Sequence, residues 1–167
     1  MGTANIARKN ARAMALSPAA QLVAVGSRTE ARCATWVGEV ESALQAEGLS
    51  AQSPPLGAVR CHGSYAALLA DPNVDAVYLP LPTTLHLAWV LAAAAAGKHV
   101  LVEKPVGLTL AEVAQMAEAC RAAKVLFMDG VMFHHHPRLA HVQAALADPC
   151  VHHTFSVNVG ALCRGLV

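Results

Sequence analysis

Five short apolar runs alternate with longer runs of helical period along this chain. They are "QLVAVGS" (21–27), "AVRCH" (58–62), "VDAVYLP" (74–80), "KHVLVEK" (98–104) and "VLFMDGVMF" (125–133). These runs are apolar or β-branched rather than alternating, so the strands they predict are covered on both faces. The helical runs between them have readable ends. "NIARKNARAMAL" (5–16) ends before Ser17-Pro18, where proline blocks continuation. "EARCATWVGEVESALQAEG" (30–48) stops on Gly48, a natural residue for the left-handed position past a helix. "SYAALLADP" predicts one short helix, and "HLAWVLAAAAAG" stops at Gly97. "TLAEVAQMAEACRAAK" opens with Thr109 and Glu112, a capping box whose hydroxyl and carboxylate satisfy free amides of the first turn. "RLAHVQAALA" follows Pro137 as a last helix, and "VHHTFSVNVG" (151–160) starts like a further strand.

Strands alternating with helices imply parallel pairing through crossover helices, hence a doubly wound α/β sheet. Composition fits such a core. Apolar residues make up 55% of 167 residues and charged residues 14%, against about 25% charged in an average domain. Net charge is +1 and no basic run stands out, which argues against nucleic acid. The longest apolar stretch, Leu87 to Ala96, is too short and alanine-rich to span a bilayer. No signal peptide is visible, and the five cysteines are odd in number with no CxxC. A reduced, cytoplasmic protein is expected.

Candidate chemistry gathers where predicted strands end. Gly2-x-Ala4-x-x-Ala7 matches the spacing G-x-G-x-x-G/A with alanine at the second place. Small residues there let the amides of "GTANIA", Gly2, Thr3, Ala4, Asn5, Ile6 and Ala7, approach a pyrophosphate at a helix N-terminus. In a dinucleotide fold a strand precedes such a turn, and here none does. "AVGSRT" sets Ser27 and Arg28 where such a fold meets the adenosine ribose. Arginine there pairs with a 2′-phosphate that a carboxylate would repel, so NADP is expected over NAD. "LPLPTTLH", with Leu79, Pro80, Leu81, Pro82, Thr83 and His86, is a stiff loop followed by a helix start. "VEKP" sets Glu103, Lys104 and Pro105 at another strand end, where a lysine can donate to a substrate oxygen. His134, His135, His136, His141, His152 and His153 form no metal-ligand spacing with Cys150, so no metal is expected.

Together "GTANIA", "SR", "PLPTTLH", "GKHVLVEKP" and "FMDGVMFHHHPR", in this order, closely resemble the N-terminal NAD(P)-binding domain of the glucose–fructose oxidoreductase/inositol dehydrogenase (Gfo/Idh/MocA) family. The branch with the dihydrodiol dehydrogenases looks closest. The resemblance implies a Rossmann-like doubly wound parallel sheet, here lacking its first strand, over residues 1–133. Residues 134–167 would be an interdomain helix and the start of a truncated substrate domain. It implies hydride transfer between a nicotinamide and a carbon bearing a hydroxyl, on a sugar, cyclitol or diol. Lys104 matches the family's active-site lysine and His86 a residue on the nicotinamide side. The family's later tyrosine or histidine acid/base has no counterpart, because Tyr65 and Tyr78 lie in the nucleotide half. A non-catalytic binding or interaction fragment, or an incomplete product without turnover, is the alternative. The open strand edges predict self-association or a homodimer.

Overall fold

The computed structural model describes residues 1–49 and 58–147. The strand-like run at 151–160 and most of the loop 49–57 lie outside the described residues. The chain divides into two compact units, Met1–Gly130 and Val131–Val167.

In the first unit all strand pairs are parallel, as the alternation of elements requires. Strand β1 (Ala24–Gly26) pairs with β2 (Arg60–His62), Val25 opposite Cys61. Strand β3 (Ala76–Leu79) pairs with β4 (His99–Val102), and β4 with β5 (Phe127–Asp129). The two ladders, β1-β2 and β3-β4-β5, are separate.

Helices cover both faces. On one side lie α1 (Asn5–Leu16) and α2 (Glu30–Ala46). Their buried residues Ala7, Ala11, Ala15, Trp36, Val40 and Leu44 meet Val25 in one apolar cluster. The four-residue spacing of the alanines keeps one thin face against the sheet. A second cluster joins Leu68 of α3 (Tyr65–Leu69), Val90 of α4 (His86–Ala95) and Met116 of α5 (Leu110–Ala122) to Leu79 and Val102. The predicted capping box on α5 is present. Thr109 Oγ1 accepts from the Glu112 amide at 3.2 Å, and Glu112 Oε2 accepts from the Leu108 amide at 2.8 Å.

The strands are shorter than the apolar runs that predict them. The run at 125–133 pairs only over Phe127–Asp129. Gly130 packs against Glu103, where a Cβ would lie 3.1 Å from Oε2, and the chain turns away there. Met132–His135 is a 3-10 turn of the second unit, followed by α6 (Arg138–Ala147), which buries no residue. Among the described residues no helix is long and apolar enough to cross a membrane.

The turn at Gly2 is tied to both ladders. The Met1 amine donates to the Tyr78 carbonyl at 2.5 Å, and the Gly2 amide donates to the Gly26 carbonyl at 2.7 Å. Two residues thus tie the start of the chain to β3 on one side and β1 on the other.

Candidate cofactor site

Four segments converge on the rim formed by the carboxyl ends of the parallel strands, where open α/β sheets bind ligands. They are Gly2–Ala7, Ser27–Arg28 after β1, Pro80–His86 after β3 and Glu103–Pro105 after β4.

Gly2 is buried with φ +90, a backbone conformation that side chains rarely adopt, and a Cβ there would meet Leu81 Cδ2 at 3.0 Å. Only glycine fits this turn. Ala4 is the N-cap of α1, with no side-chain cap and no acid in the first turn. Thr29, Ser64 and Thr109 cap α2, α3 and α5 with their side-chain oxygens. The amides at Asn5 and Ile6 therefore open the helix without a protein anion or hydroxyl, at its positive end. Ala7 is buried and packs inward. Thr3 accepts a bond from Arg32 Nε at 3.0 Å.

Ser27 is buried at 3% exposure, with its amide donating to the His62 carbonyl at 3.0 Å. Arg28 is exposed beside it. One helical turn later stands Arg32, a residue that reading "SR" alone overlooks. Its spacing from Arg28 was the available signal. Arg32 and Thr3 also border a cleft with Arg8, Thr35, Trp36 and Glu39.

Leu79 and Pro80 are buried, Leu81 is half-buried, and Pro82 and Thr83 begin a 3-10 turn that leads into α4. His86 is fully buried. Its Nε2 lies 2.8 Å from the Leu81 carbonyl, and its Nδ1 lies 3.0 Å from that of Val106 and 3.1 Å from that of Pro105. Both ring nitrogens lie against backbone carbonyls, and the one that carries the proton donates to its neighbour, so the ring sits between the loops after β3 and β4.

Glu103 is not a solvated surface partner of Lys104. Its Oε1 accepts from the Tyr78 hydroxyl at 2.6 Å, and its Oε2 accepts from the Lys104 amide at 3.2 Å. Asn10 also reaches the Tyr78 side chain. Burial, followed by the Glu103 carboxylate, pushes the Tyr78 phenol above its ordinary range. Lys104 is exposed, and its bond to Pro105 is cis. The arrangement holds a lysine free at the rim above a clamped carboxylate.

The chain is similar to known proteins. The chain is 39% identical over 137 residues to D-xylose 1-dehydrogenase (NADP(+)) 2 of Haloferax volcanii, covering 82% of this chain and 37% of that protein. Trans-1,2-dihydrobenzene-1,2-diol dehydrogenase of Sus scrofa is 36% identical over 89 residues, 53% of this chain and 27% of its own length. Among solved structures, a 3-ketoreductase from Actinomadura kijaniata in complex with NADP superposes with a TM-score of 0.73 at 32% identity. That match covers 87% of this chain and 41% of the reductase. The chain thus spans between about a quarter and two fifths of the length of these relatives. The profile of the GFO_IDH_MocA oxidoreductase family, NAD-binding Rossmann fold, matches residues 1–131. The chain belongs to the Gfo/Idh/MocA oxidoreductase family and carries its NAD(P)-binding Rossmann domain.

Proposed function

We propose that this chain binds NADP in preference to NAD, as the cofactor domain of an oxidoreductase acting on CH–OH groups of sugars, cyclitols or diols. The observation that carries the reading is the uncapped start of α1 beside two arginines, Arg28 and Arg32. In this reading the amides of Gly2–Ala7 hold the pyrophosphate, and Ser27, Arg28 and Arg32 hold the 2′-phosphate. Leu79–Thr83 and Glu103–Pro105 border the nicotinamide, with His86 fixing both loops from beneath. The cofactor supplies or takes the hydride. Lys104 donates a hydrogen bond to the substrate oxygen and stabilises charge developing there. Residues 1–133 form this domain, and 134–167 begin a substrate domain. The xylose dehydrogenase, the diol dehydrogenase and the ketoreductase support the substrate class. A cytoplasmic setting suits the reduced thiols, and exposed Leu126 and Met128 along β5 suit self-association.

Neither tyrosine is placed to move a substrate proton. Tyr65 stacks edge-on against Trp89 with ring centroids 5.0 Å apart, and Tyr78 is committed to Glu103. That favours a second reading for the described residues, cofactor binding without turnover. Titration of the chain with NADPH and NADH tests the first reading, and an assay with NADP+ and a panel of sugars, cyclitols and diols tests the second. Saturable NADPH binding at least tenfold tighter than NADH is expected, with no turnover. Equal affinities would remove the NADP assignment, and turnover lost in Lys104→Ala would remove the second reading.

A further inference from the structure

Two thiols meet on the α1–α2 side of the β1-β2 ladder. Cys33, near the start of α2, is fully buried. Its Sγ lies 3.4 Å from the Val25 carbonyl and 3.3 Å from the His62 carbonyl. Val25 stands directly opposite Cys61 in the parallel register. Cys33 Sγ therefore sits over the step of the ladder that carries Cys61. Cys61 packs against the same apolar cluster that contains Cys33, so both side chains share one face of the sheet. There the two thiols are side-chain hydrogen-bond partners. The third described cysteine, Cys120, is buried in the other cluster, on α5.

Exposure separates the roles of the two. Cys33 is closed off, whereas Cys61 is half-buried and is the sulfur that an oxidant reaches first. Burial above all pushes both thiols up. The thiolate is the reactive form, so the pair stays reduced at rest and answers only to sustained oxidant, as transient disulfides of reducing compartments do. The surroundings give a bond between them a consequence. Cys33 directly follows Arg32 in the chain, and the His62 carbonyl that faces its sulfur also accepts from the Ser27 amide at 3.0 Å. The sulfur pair thus lies behind the end of β1 and the start of α2, the two elements that present Ser27, Arg28 and Arg32.

We propose that Cys33 and Cys61 are a hydroperoxide-sensitive pair whose disulfide weakens the hold of Ser27, Arg28 and Arg32 on a 2′-phosphate. The Cys61 sulfur attacks the hydroperoxide: an S–O bond forms, the O–O bond breaks, and water or an alcohol leaves. Cys33 then attacks that sulfur: the S–S bond forms, the S–O bond breaks, and water leaves. The two thiols give up two electrons and two protons, and the hydroperoxide takes them. Cys33 Sγ is drawn from its two carbonyls toward Cys61, and the start of α2, with Arg32, moves with it. The bond follows from the placement of the thiols; its effect on affinity rests on the NADP reading.

The full chain is treated with hydrogen peroxide, alkylated, digested and mapped by mass spectrometry, and NADPH and NADH are titrated before and after treatment. The expected map joins Cys33 to Cys61 and leaves Cys120 free. NADPH affinity should fall about tenfold, as on loss of one charge-assisted contact. NADH affinity should fall less, and dithiothreitol should restore both. Cys61→Ser should abolish the link and the loss of NADPH affinity, while Cys120→Ala should keep both. Cys33 and Cys61 recovered as free thiols, over-oxidised without a link, or joined to other cysteines overturn the pair. The Cys33–Cys61 link with unchanged NADPH affinity overturns the switch. A reduced chain that binds no NADPH removes the cofactor reading and with it the effect on affinity, and the map alone then decides the pair.

Discussion

The Tyr78 hydroxyl donates to Glu103 Oε1 at 2.6 Å, joining the carboxyl ends of β3 and β4 directly below Lys104. Hydrogen bonds to charged groups contribute about 1.5–3 kcal/mol. Tyr78→Phe should therefore lower unfolding free energy by roughly that amount. Urea denaturation of the two proteins measures it, and Tyr78→Phe combined with Glu103→Gln should cost less than the two separate losses added together.

Cofactor choice rests on the two arginines after β1. Arg28→Ala and Arg32→Ala should each weaken NADPH about tenfold or more, at about 1.5–3 kcal/mol per charge-assisted contact. NADH affinity should stay nearly unchanged. Calorimetric titration with both cofactors distinguishes this from a general loss of folding, which would weaken both alike. Arg32 also holds Thr3, so its replacement should have the larger side effect on NADH.

Gly2→Ala places a methyl group 3.0 Å from Leu81 Cδ2 in a backbone of φ +90. Strain of this kind costs about 1–3 kcal/mol. Melting temperature should fall, and NADPH affinity should fall with it because the turn and the loop after β3 move apart. Leu81→Ala in the same chain should recover part of the loss in stability.

Stability should depend on pH in two separate windows. Asp71 accepts from the Asn73 amide at 2.9 Å, from Arg60 at 2.7 Å and from the His62 ring at 3.0 Å. The Asn73 amide above all, then Arg60 and His62, hold its carboxyl well below the usual range. Its stabilisation is present above an unfolded value of about 3.9 and is lost as the pH falls below it. The Met1 amine is shifted the other way in charge. Lowered from 8.0 to about 5, it is neutral in the folded chain and protonated in the unfolded chain between those values. The unfolded state then binds more protons, so stability rises with pH across that window. Denaturation from about pH 1.5 to 9 should show both slopes. Acetylation of the N-terminus should flatten the upper one, and Asp71→Asn the lower.

Much of this was legible in the residues. The runs ending in Gly26, Leu79 and Val102 gave three rim strands because apolar continuity requires a sheet covered on both faces. The places of Gly2 in a turn and of Arg28 and Lys104 just past strand ends were readable because each follows from a local pattern. Relations across the chain were not readable. Tyr78 meets Glu103 over 25 residues and His86 meets Pro105 over 19, and neither distance leaves a period in the sequence. His86 shows the consequence. At the start of a helix after a rim loop a lone histidine reads as a packed or capping residue, and only the fold shows the carbonyls of Leu81, Pro105 and Val106 around it. Arg32 was hidden differently, as an ordinary charge in the first turns of α2.

The division of the sheet into two ladders also bears on how the domain melts. Its two apolar clusters lie with α1–α2 and with α3–α5. A continuous sheet between such layers would make them one cooperative unit. Here, among the described residues, the backbone bonds that link the β1-β2 and β3-β4-β5 ladders edge to edge run through Met1 and Gly2. Loss of one layer then need not carry the other with it, and heat should separate them. In scanning calorimetry the van't Hoff enthalpy should fall below the calorimetric enthalpy, the mark of a transition with populated intermediates.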